Sequence, residues 1–243
     1  MAERQRLDAE MTRRGLVTSR SQAENWIKLG DVKVNGAVQT KAGYMVDDSA
    51  KIELAKKQRY VSRAGLKLAS VADIFGLDFR DKTVLDVGSS TGGFTDYALQ
   101  HGAKKVFAVD VGTEQLHPSL RGNERIELHE KTDIRDFVPP ETPDIVVMDV
   151  SFISLRQILP HIFVLSGPQT QIVAMVKPQF EAERKMLTKN GIVKNDKMRR
   201  QILADFEAWA KQSATIVSKR DSDVAGTHGN LERFYVLRKL ATR

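Results

Sequence analysis

The stretch V-L-D-V-G-S-S-T-G-G-F-T, residues 84–95, decides how the larger part of this chain folds. A short apolar run typical of a buried strand leads into a glycine-rich loop, and the loop leads into a helix. Gly88 can adopt a backbone conformation that a side chain would hinder, and Gly92 and Gly93 let the chain approach a ligand closely. Because open α/β sheets bind ligands at the carboxyl edge of their strands, this loop predicts a small-molecule site.

A carboxylate follows the next predicted strand, since Asp110 stands 22 residues after Gly88. At this position a carboxylate can accept hydrogen bonds from ribose hydroxyls. The loop G-S-S-T-G-G is neither the dinucleotide motif G-x-G-x-x-G nor a P-loop, whose lysine it lacks. S-adenosylmethionine (SAM) carries no phosphate, so a loop that binds it needs neither feature. The spacing resembles the first motif of SAM-dependent methyltransferases, and Asp133 lies where such enzymes often contact the adenine.

The resemblance implies SAM as the cofactor and a set of candidate cofactor-binding residues in and around the loop. This set comprises Asp86, Gly88, Ser89, Ser90, Thr91, Gly92, Gly93, Phe94, Asp110, Asp133 and Asp149. Two of its members have alternative interpretations, because Asp86 could cap the end of its strand and Asp133 could be a turn residue.

Strand and helix patterns alternate along the rest of the chain. Strands are predicted at residues 83–87, 105–110, 125–129, 145–150, 170–176, 214–218 and 233–238. Helices are predicted from a Ser62 cap to Phe75, and at 92–101, 154–166 and 196–212. Apolar strand runs such as V-V-M-D-V indicate a mostly parallel sheet covered on both faces. The expected fold class is therefore α/β, a Rossmann-like sheet of the SAM-dependent methyltransferase type with a small N-terminal α+β domain.

The first 54 residues form that small α+β domain. Its predicted elements are a helix at 7–15, a helix capped by Thr18 or Ser19 and ended by Gly30, a hairpin turn at Asn35-Gly36 and a strand at 50–54. A basic connector at 55–62 is the predicted linker. The predicted domains are therefore 1–54 and 63–243.

Positive charge is concentrated at the start of the chain, because residues 1–67 carry a net charge of +6 out of +7. A basic module beside a near-neutral one is typical of a polyanion-binding arm, although a solvated face would have the same composition. The ordered elements R-L-D, S-R-S-Q-A and V-K-V-N-G resemble the αL RNA-binding fold first seen in a small-subunit ribosomal protein. The candidate RNA-binding residues are Arg6, Arg13, Arg14, Arg20, Lys28 and Lys33.

Composition excludes several kinds of site. The chain has no cysteine, so disulfides, thiol nucleophiles and cysteine-ligated zinc are excluded. The five histidines are scattered, and no metal site is expected. No apolar run approaches the roughly 18 residues of a membrane span, and the charged N-terminus lacks a signal-peptide core. A cytoplasmic protein without a membrane partner is the expectation.

Four charged residues stand out as candidate catalytic groups: Lys67, Asp149, Lys177 and Glu232. Charges at the ends of apolar strands are poorly explained by packing, although four separate surface charges are the alternative. Their order resembles the Lys-Asp-Lys-Glu tetrad of FtsJ-like ribose 2′-O-methyltransferases. With S-R-A-G-L-K-L, D-V-S-F-I-S-L and V-K-P-Q-F-E, the whole chain resembles the TlyA family, often labelled hemolysin. The resemblance implies an enzyme that uses SAM to methylate the ribose 2′-hydroxyl of cytidine in ribosomal RNA, alone or in ribosomal subunits.

Each tetrad residue has an expected role. Lys177 is the candidate base, since a ribose hydroxyl is a weak nucleophile that benefits from losing its proton. Asp149 would position Lys177 and help to hold the cofactor, and Glu232 would orient Lys67 or the ribose. Pro178 is expected to stop further helix and to hold Lys177 extended. Glu181, in K-P-Q-F-E, is the rival of Glu232 for the fourth position.

Two other functions compete with methyl transfer. One is a non-catalytic factor that binds ribosomal RNA, or assists ribosome assembly, with a SAM-binding fold. The other is membrane lysis, which the family label suggests and which the absence of an apolar span or a separate amphipathic basic helix argues against.

Overall fold

The computed structural model describes residues 4–17, 19–28, 30–54, 60–224, 226 and 229–240, without the side chains of residues 21, 25 and 28. The chain folds into two compact units, Met1–Arg59 and Tyr60–Arg243. The boundary at residue 54 and the linker at 55–62 stay predictions, because residues 55–59 lie outside the described part.

The first unit combines two helices with short antiparallel strands. Its helices are α1 (Leu7–Arg13) and α2 (Arg20–Lys28), and its strands are β1 (Gln5–Arg6), β2 (Val32–Val34), β3 (Ala37–Gln39), β4 (Met45–Val46) and β5 (Ile52–Leu54). Strand β2 pairs with both β3 and β5, and β1 pairs with β4. The short strands β1 and β4 were not predicted, because two residues are too few to establish a periodic pattern.

Local signals in the first unit act as expected. Asn35 and Gly36 both have positive φ, 50° and 82°, which is the backbone of a tight hairpin turn between β2 and β3. Ser19 caps α2 by accepting a hydrogen bond from the Gln22 amide at 3.2 Å. Thr18, the alternative cap, lies outside the described residues. Apolar side chains of both helices and of β2 then form the core, among them Leu7, Ile27 and Val32.

The second unit contains seven strands and five helices among its described residues. The strands are β6 (Thr83–Val87), β7 (Lys105–Val109), β8 (Ile126–His129), β9 (Ile145–Met148), β10 (Gln171–Val176), β11 (Ala214–Asp221) and β12 (Arg233–Lys239). The helices are α3 (Arg63–Phe75), α4 (Gly93–Gln100), α5 (Leu159–Leu165), α6 (Pro178–Glu181) and α7 (Asp196–Ala210).

The seven strands form one sheet in the order β11-β12-β10-β9-β6-β7-β8. The five strands from β10 to β8 are parallel, whereas β12 pairs antiparallel with β10 and with β11. The expected α/β fold with a mostly parallel sheet is confirmed. Because β12 is antiparallel, its first residues lie at the same edge of the sheet as the last residues of β10.

Both faces of the sheet are covered, as the apolar strand runs require. Neighbouring strand residues point to opposite faces, so Leu85 packs in one core and Val84 in the other. Helices α5 and α7 contribute side chains to the first core, and α3 and α4 contribute to the second. The carboxyl edge of the parallel strands remains open between these layers.

At two prolines, the observed helix boundaries differ from those predicted from the sequence. The helix predicted at 154–166 is a 3-10 turn at Leu155–Gln157 followed by α5, because Pro160 is tolerated only in the first turn of an α-helix. The expectation that Pro178 stops further helix is wrong, since Pro178 is the first residue of α6. Its ring presets the φ of a first helical residue, and Lys177 before it is extended, as expected.

Candidate functional site

The glycine loop after β6 is shaped by close backbone contacts. Gly88 has φ 79°, and a Cβ atom at this position would lie 3.1 Å from the carbonyl oxygen of Asp149. Gly92 has φ 88°, and a Cβ atom there would lie 2.6 Å from a side-chain carbon of Leu120. Glycine suits both positions best, because any other residue would strain the backbone at these φ values and crowd its neighbours.

A cavity of about 400 Å³ opens beside this loop, at the carboxyl edge of the sheet. Its walls are formed by Val87, Gly88, Ser90, Val109, Asp110, Val111, Gly112, Gln115, Thr132, Asp133, Ile134, Asp149, Val150, Ser151, Phe152, Ile153 and Ile158. Five of these residues belong to the candidate cofactor-binding set: Gly88, Ser90, Asp110, Asp133 and Asp149. Three of the five are carboxylates. Asp133 and Asp149 are paired with Arg135 and Lys177, whereas Asp110 forms no ion pair with a described residue and can accept hydrogen bonds from ligand hydroxyls.

Asp110 is fixed at the cavity wall by two backbone amides. Its Oδ2 accepts a hydrogen bond from the Ser90 amide at 2.8 Å, and its Oδ1 accepts one from the Gly112 amide at 2.7 Å. Each carboxylate oxygen keeps a second lone pair for a ligand hydroxyl. Asp110 thus ties the glycine loop to the loop after β7 while it faces the cavity.

Asp133 combines a turn role with a place in the cavity wall. It caps the 3-10 turn Ile134–Asp136 by accepting a hydrogen bond from the Arg135 amide at 2.9 Å. Its carboxylate also binds the Arg135 guanidinium at 2.6 Å, and these bonds lower the pKa of Asp133 to about 2. The turn interpretation therefore describes its local contacts, and the adenine contact stays a prediction.

The remaining candidates of the cofactor set, Asp86, Ser89, Thr91, Gly92, Gly93 and Phe94, lie outside the cavity wall. Asp86 is fully buried, and its Oδ2 accepts a hydrogen bond from Thr95 Oγ1 at 2.6 Å. Burial raises the pKa of Asp86 to about 7. Phe94 packs in the core with its ring centroid 6.1 Å from that of Phe234. The contribution of these six residues to cofactor binding stays a prediction.

The four tetrad residues form two ion pairs. Lys177 Nζ lies 2.6 Å from Asp149 Oδ1 and donates a hydrogen bond to Ser151 Oγ at 2.7 Å. Lys67 Nζ, from α3, donates to Glu232 Oε2 at 2.5 Å, and both of these residues are buried. The alternative of four separate surface charges is therefore wrong.

Strand order explains how residues so distant in sequence reach one edge. Asp149 and Lys177 directly follow β9 and β10, which are parallel neighbours. Val176 is opposite Arg233 in the antiparallel pair of β10 and β12, so Lys177 and Glu232 occupy the next pair of opposite positions. The sheet thus gathers both ion pairs at its carboxyl edge, where Asp149 also lines the cavity.

Glu181, the rival carboxylate, is engaged elsewhere. Its side chain accepts hydrogen bonds from Ser154 Oγ at 2.6 Å and from the Leu155 amide at 2.7 Å. Burial raises the pKa of Glu181, and the carboxyl group holds the 3-10 turn before α5. Lys67 binds Glu232 instead, so the geometry favours Glu232 as the fourth tetrad residue.

In the first unit, the candidate RNA-binding arginines surround two buried carboxylates. Arg6 and Arg20 bind Asp8 at 2.7 and 3.2 Å. Arg13 and Arg14 bind Glu10 at 2.6 and 2.5 Å, and Arg14 also donates to backbone carbonyls of residues 47, 48 and 50. Arg6, Arg13 and Arg20 keep about half of their side-chain surface exposed.

The two candidate lysines of this unit differ in what can be said of them. Lys33 lies in β2 between the buried Val32 and Val34, so its side chain points away from the core. The side chain of Lys28 lies outside the described residues. RNA contact by all six candidates stays a prediction.

Phe152 is a cavity residue that the sequence analysis did not select. It has φ 67°, a left-handed conformation that is rare for a bulky residue, and it is 91% exposed. Its ring centroid lies 5.2 Å from that of Phe180. In D-V-S-F-I-S an apolar residue after a strand gives no sign of such exposure, so no sequence signal marked it.

Among the described residues, no group of three or more histidine and acidic side chains could hold a metal ion. In the same part of the chain, the helices are too short or too polar to cross a membrane.

Two family models match the chain. Residues 60–240 match the FtsJ-like methyltransferase family, and residues 5–52 match the S4 domain. The first match covers the sheet, the cavity and both ion pairs, and the second covers most of the first unit.

Relatives match over most of the chain. The 16S/23S rRNA (cytidine-2′-O)-methyltransferase TlyA of Mycobacterium tuberculosis is 36% identical over 249 residues, covering 100% of this chain and 93% of that protein. The 23S rRNA (cytidine-2′-O)-methyltransferase TlyA of Campylobacter jejuni is 42% identical over 193 residues, 79% of this chain and 75% of that protein. Hemolysin A of Brachyspira hyodysenteriae is 39% identical over 236 residues, 93% and 97% of the two chains.

Solved structures share the fold. A Streptococcus thermophilus protein described as a hemolysin superimposes with a TM-score of 0.77 at 38% identity, covering 100% of this chain and 90% of that one. An S-adenosylmethionine-dependent methyltransferase from Listeria monocytogenes superimposes with a TM-score of 0.53 at 19% identity, covering 74% and 100%. The second likeness shows the fold alone, which is that of SAM-dependent methyltransferases.

Proposed function

This chain belongs to the FtsJ-like methyltransferase family, among the TlyA proteins that join an S4 domain to the methyltransferase domain, and we propose that it methylates a cytidine 2′-hydroxyl of ribosomal RNA with SAM. The relatives from M. tuberculosis and C. jejuni, whose names give this reaction, support the substrate class. The two ion pairs beside the cavity support the chemistry, and they are the observation on which the proposal depends.

The polar groups of the cavity support SAM as its ligand. Gly88 allows the loop to pass close to the backbone of Asp149 and Val150, and Asp110 keeps free lone pairs for the ribose hydroxyls. The carboxylate of Asp110, which forms no ion pair with a described residue, is available to balance positive charge on the ligand. When bound, SAM supplies a methyl group on a positively charged sulfur, which is a ready leaving group.

Lys177 is the proposed base for the ribose hydroxyl. Lys177 would accept the proton that the ribose 2′-hydroxyl loses as it becomes methylated. Asp149 and Ser151 hold Nζ of Lys177 in place at 2.6 and 2.7 Å. Asp149 also lines the cavity, so the same carboxylate contacts the proposed base and the proposed binding site of the methyl donor.

Lys67 and Glu232 are proposed to act as a fixed charged pair beside the base. Glu232 orients Lys67 at 2.5 Å, and the cross-strand register places Glu232 next to Lys177. Alignment of the ribose 2′-oxygen with the methyl group then contributes much of the remaining rate acceleration, because the nucleophile is already bound.

RNA is proposed to meet the protein at two places that the described residues provide. The half-exposed arginines of the S4 domain present positive charge to phosphates, which suits the shape-based recognition of helical RNA. Phe152 offers an exposed ring at the cavity rim, and unstacked bases in RNA commonly stack on such rings. The substrate is therefore proposed to be ribosomal RNA, free or in a ribosomal subunit.

The proposal is tested by transfer of a tritiated methyl group from SAM to ribosomal RNA and to each purified subunit. Wild-type protein is expected to label one of these substrates at a cytidine ribose. Lys177→Ala is expected to lose at least a hundredfold in transfer rate, within the range by which general bases contribute, and to keep its affinity for SAM in calorimetry.

Lys82→Ala is the matched control, because Lys82 also pairs with an aspartate, Asp144 at 3.6 Å, before β6 and away from the cavity. It is expected to transfer at the wild-type rate. Normal methylation by Lys177→Ala would refute its role. Tight RNA binding without SAM binding in the wild-type protein would instead favour the non-catalytic RNA-binding function.

A further inference from the structure

A segment of high positive charge lies between Lys177 and Glu232 in the sequence. Residues 183–200, here called the basic segment, hold seven Lys/Arg and two Asp/Glu. Its net charge of +5 exceeds the +3 of the whole unit from residue 60 to residue 243. The rest of the methyltransferase unit is therefore slightly acidic, so the charge is a local feature and not a general one.

Several cations of the basic segment have no partner in the part of the chain that the structure describes. Arg184, Lys189 and Lys197 are exposed, and their side chains make no ion pair or hydrogen bond with any described residue. In contrast, Lys185 binds Glu183 at 2.7 Å, and Arg200 binds Asp196. Three such cations lie within 14 residues, in a segment more basic than the rest of its unit, and a local basic patch is the electrostatic footprint of a polyanion-binding surface.

The basic segment is held by hydrogen bonds to the residues directly before Glu232. Asn230 is buried, accepts a hydrogen bond from the Val193 amide at 3.1 Å and donates one to the Gly191 carbonyl at 3.2 Å. Arg199 donates to the Leu231 carbonyl at 3.0 Å. Residues 230 and 231 directly precede Glu232, so the segment has a fixed position relative to the tetrad.

We propose that the basic segment binds the phosphate backbone of the RNA next to the target ribose, through Arg184, Lys189 and Lys197. The inference rests on the proposed function, whose substrate must bring phosphates close to the tetrad because each ribose is flanked by two of them. Cations with a fixed position beside the tetrad hold the RNA backbone so that the target ribose lies against Lys177. RNA binding by the first unit alone does not require such cations on the second unit.

The test compares two triple variants of the full-length protein in binding to purified ribosomal subunits and to protein-free ribosomal RNA. The first variant is Arg184→Ala, Lys189→Ala and Lys197→Ala. The control is Lys104→Ala, Lys211→Ala and Arg238→Ala, which removes the same charges at the opposite edge of the same sheet, where all three residues are exposed. SAM calorimetry on both verifies that the cavity is intact.

The first variant is expected to bind RNA at least tenfold more weakly near physiological salt. Its plot of log affinity against log salt is expected to be shallower by about 2 to 3, because each phosphate that is no longer neutralised reduces the slope by roughly 0.7 to 0.9. The single variant Lys189→Ala is expected to reduce the slope by the amount that corresponds to one phosphate. The control is expected to retain the wild-type slope, and all variants are expected to bind SAM as the wild-type protein does.

Equal salt slopes for the two triple variants would overturn the proposal. A first variant that loses binding only to vesicles of anionic phospholipid, and not to RNA, would also overturn it and would indicate a lipid surface. A wild-type protein that binds RNA through the segment but transfers no methyl group would leave this proposal standing and refute the proposed function, so the two failures are distinguishable.

Discussion

At the scale of a single residue, Phe152 has an unfavourable backbone conformation that burial of its side chain does not offset. Its φ of 67° is disfavoured for any residue with a Cβ atom, and its ring is 91% exposed. Strained and exposed aromatic residues are retained mostly where they contact a ligand. The position at the cavity rim therefore fits a contact with the RNA base and not a structural role.

The strain predicts different outcomes for two small substitutions. Phe152→Gly removes both the ring and the strain, whereas Phe152→Ala removes only the ring, so the glycine variant is expected to be more stable by about 1 kcal/mol in urea unfolding. Both variants are expected to transfer methyl groups at least tenfold more slowly, with SAM affinity unchanged in calorimetry. Wild-type transfer by both variants would show that the ring does not contact the substrate.

Residues differed in how far the sequence could place them. Gly88, Asp110, Asp149 and Lys177 could be selected because glycines and charges at strand ends are unusual in a buried sheet. Lys67, on helix α3, was selected from the resemblance to the tetrad. Phe152 could not be selected, because nothing in the sequence distinguishes a left-handed phenylalanine from an ordinary one. The resemblance gave the order of the tetrad, but only the strand register shows that Lys177 and Glu232 are opposite each other.

At the scale of an element, α1 of the S4 domain depends on its charges. Asp8 and Glu10 are buried in this helix, and their arginine partners lower the pKa of each carboxyl to about 2. A carboxyl with a lowered pKa stabilises the fold above its ordinary pKa, and this contribution is lost as pH falls toward the folded value. The free energy of unfolding of the first unit is therefore expected to decrease as the pH falls from about 4 to about 2.

This acid transition can be observed in one unit at a time, because each unit contains one tryptophan, Trp26 or Trp209. In a Trp209→Phe background, Trp26 fluorescence is expected to report unfolding in this pH range. Asp8→Asn with Glu10→Gln is expected to destabilise the unit at pH 7 and to flatten its dependence on pH below 4. An unchanged acid midpoint in that variant would show that the two carboxylates do not control it.

Elements were predictable where local chemistry decides them. Strand β6 and helix α3 have the predicted bounds, because β-branched and apolar runs define the strand and Gly76 ends the helix in a left-handed conformation. Ser62 precedes the helix as predicted, but its side chain makes no capping hydrogen bond. Helix α6 was missed because a proline before a short polar stretch fits both a stop and a first helical residue. Short elements such as β4 depend on their partners, which local patterns do not specify.

At the scale of the whole methyltransferase unit, the Lys67–Glu232 pair joins the first helix to the last strand. The two residues are 165 positions apart, and both are buried. Removing one partner of a buried ion pair leaves a charge without compensation and costs about 3 to 5 kcal/mol, whereas replacing both by apolar residues can be nearly neutral.

A double-mutant cycle measures this connection. Lys67→Met and Glu232→Leu are each expected to lower the free energy of unfolding by several kcal/mol, and the double variant is expected to lose less than either single variant. All three are expected to be inactive in methyl transfer, so stability and activity should separate in the double variant. Additive losses in urea unfolding would show that the two residues do not interact.

The place of β12 in the sheet has a consequence for biosynthesis. This strand lies between β10 and β11 in the sheet. Neither β10 nor β11 can pair with it until the polypeptide has been synthesised past residue 232. Residues 5–52, which match the S4 domain, are translated before Glu232. The S4 segment is therefore synthesised while the Lys67–Glu232 pair is still incomplete, and methyl transfer can begin only after residue 232 has been added to the chain.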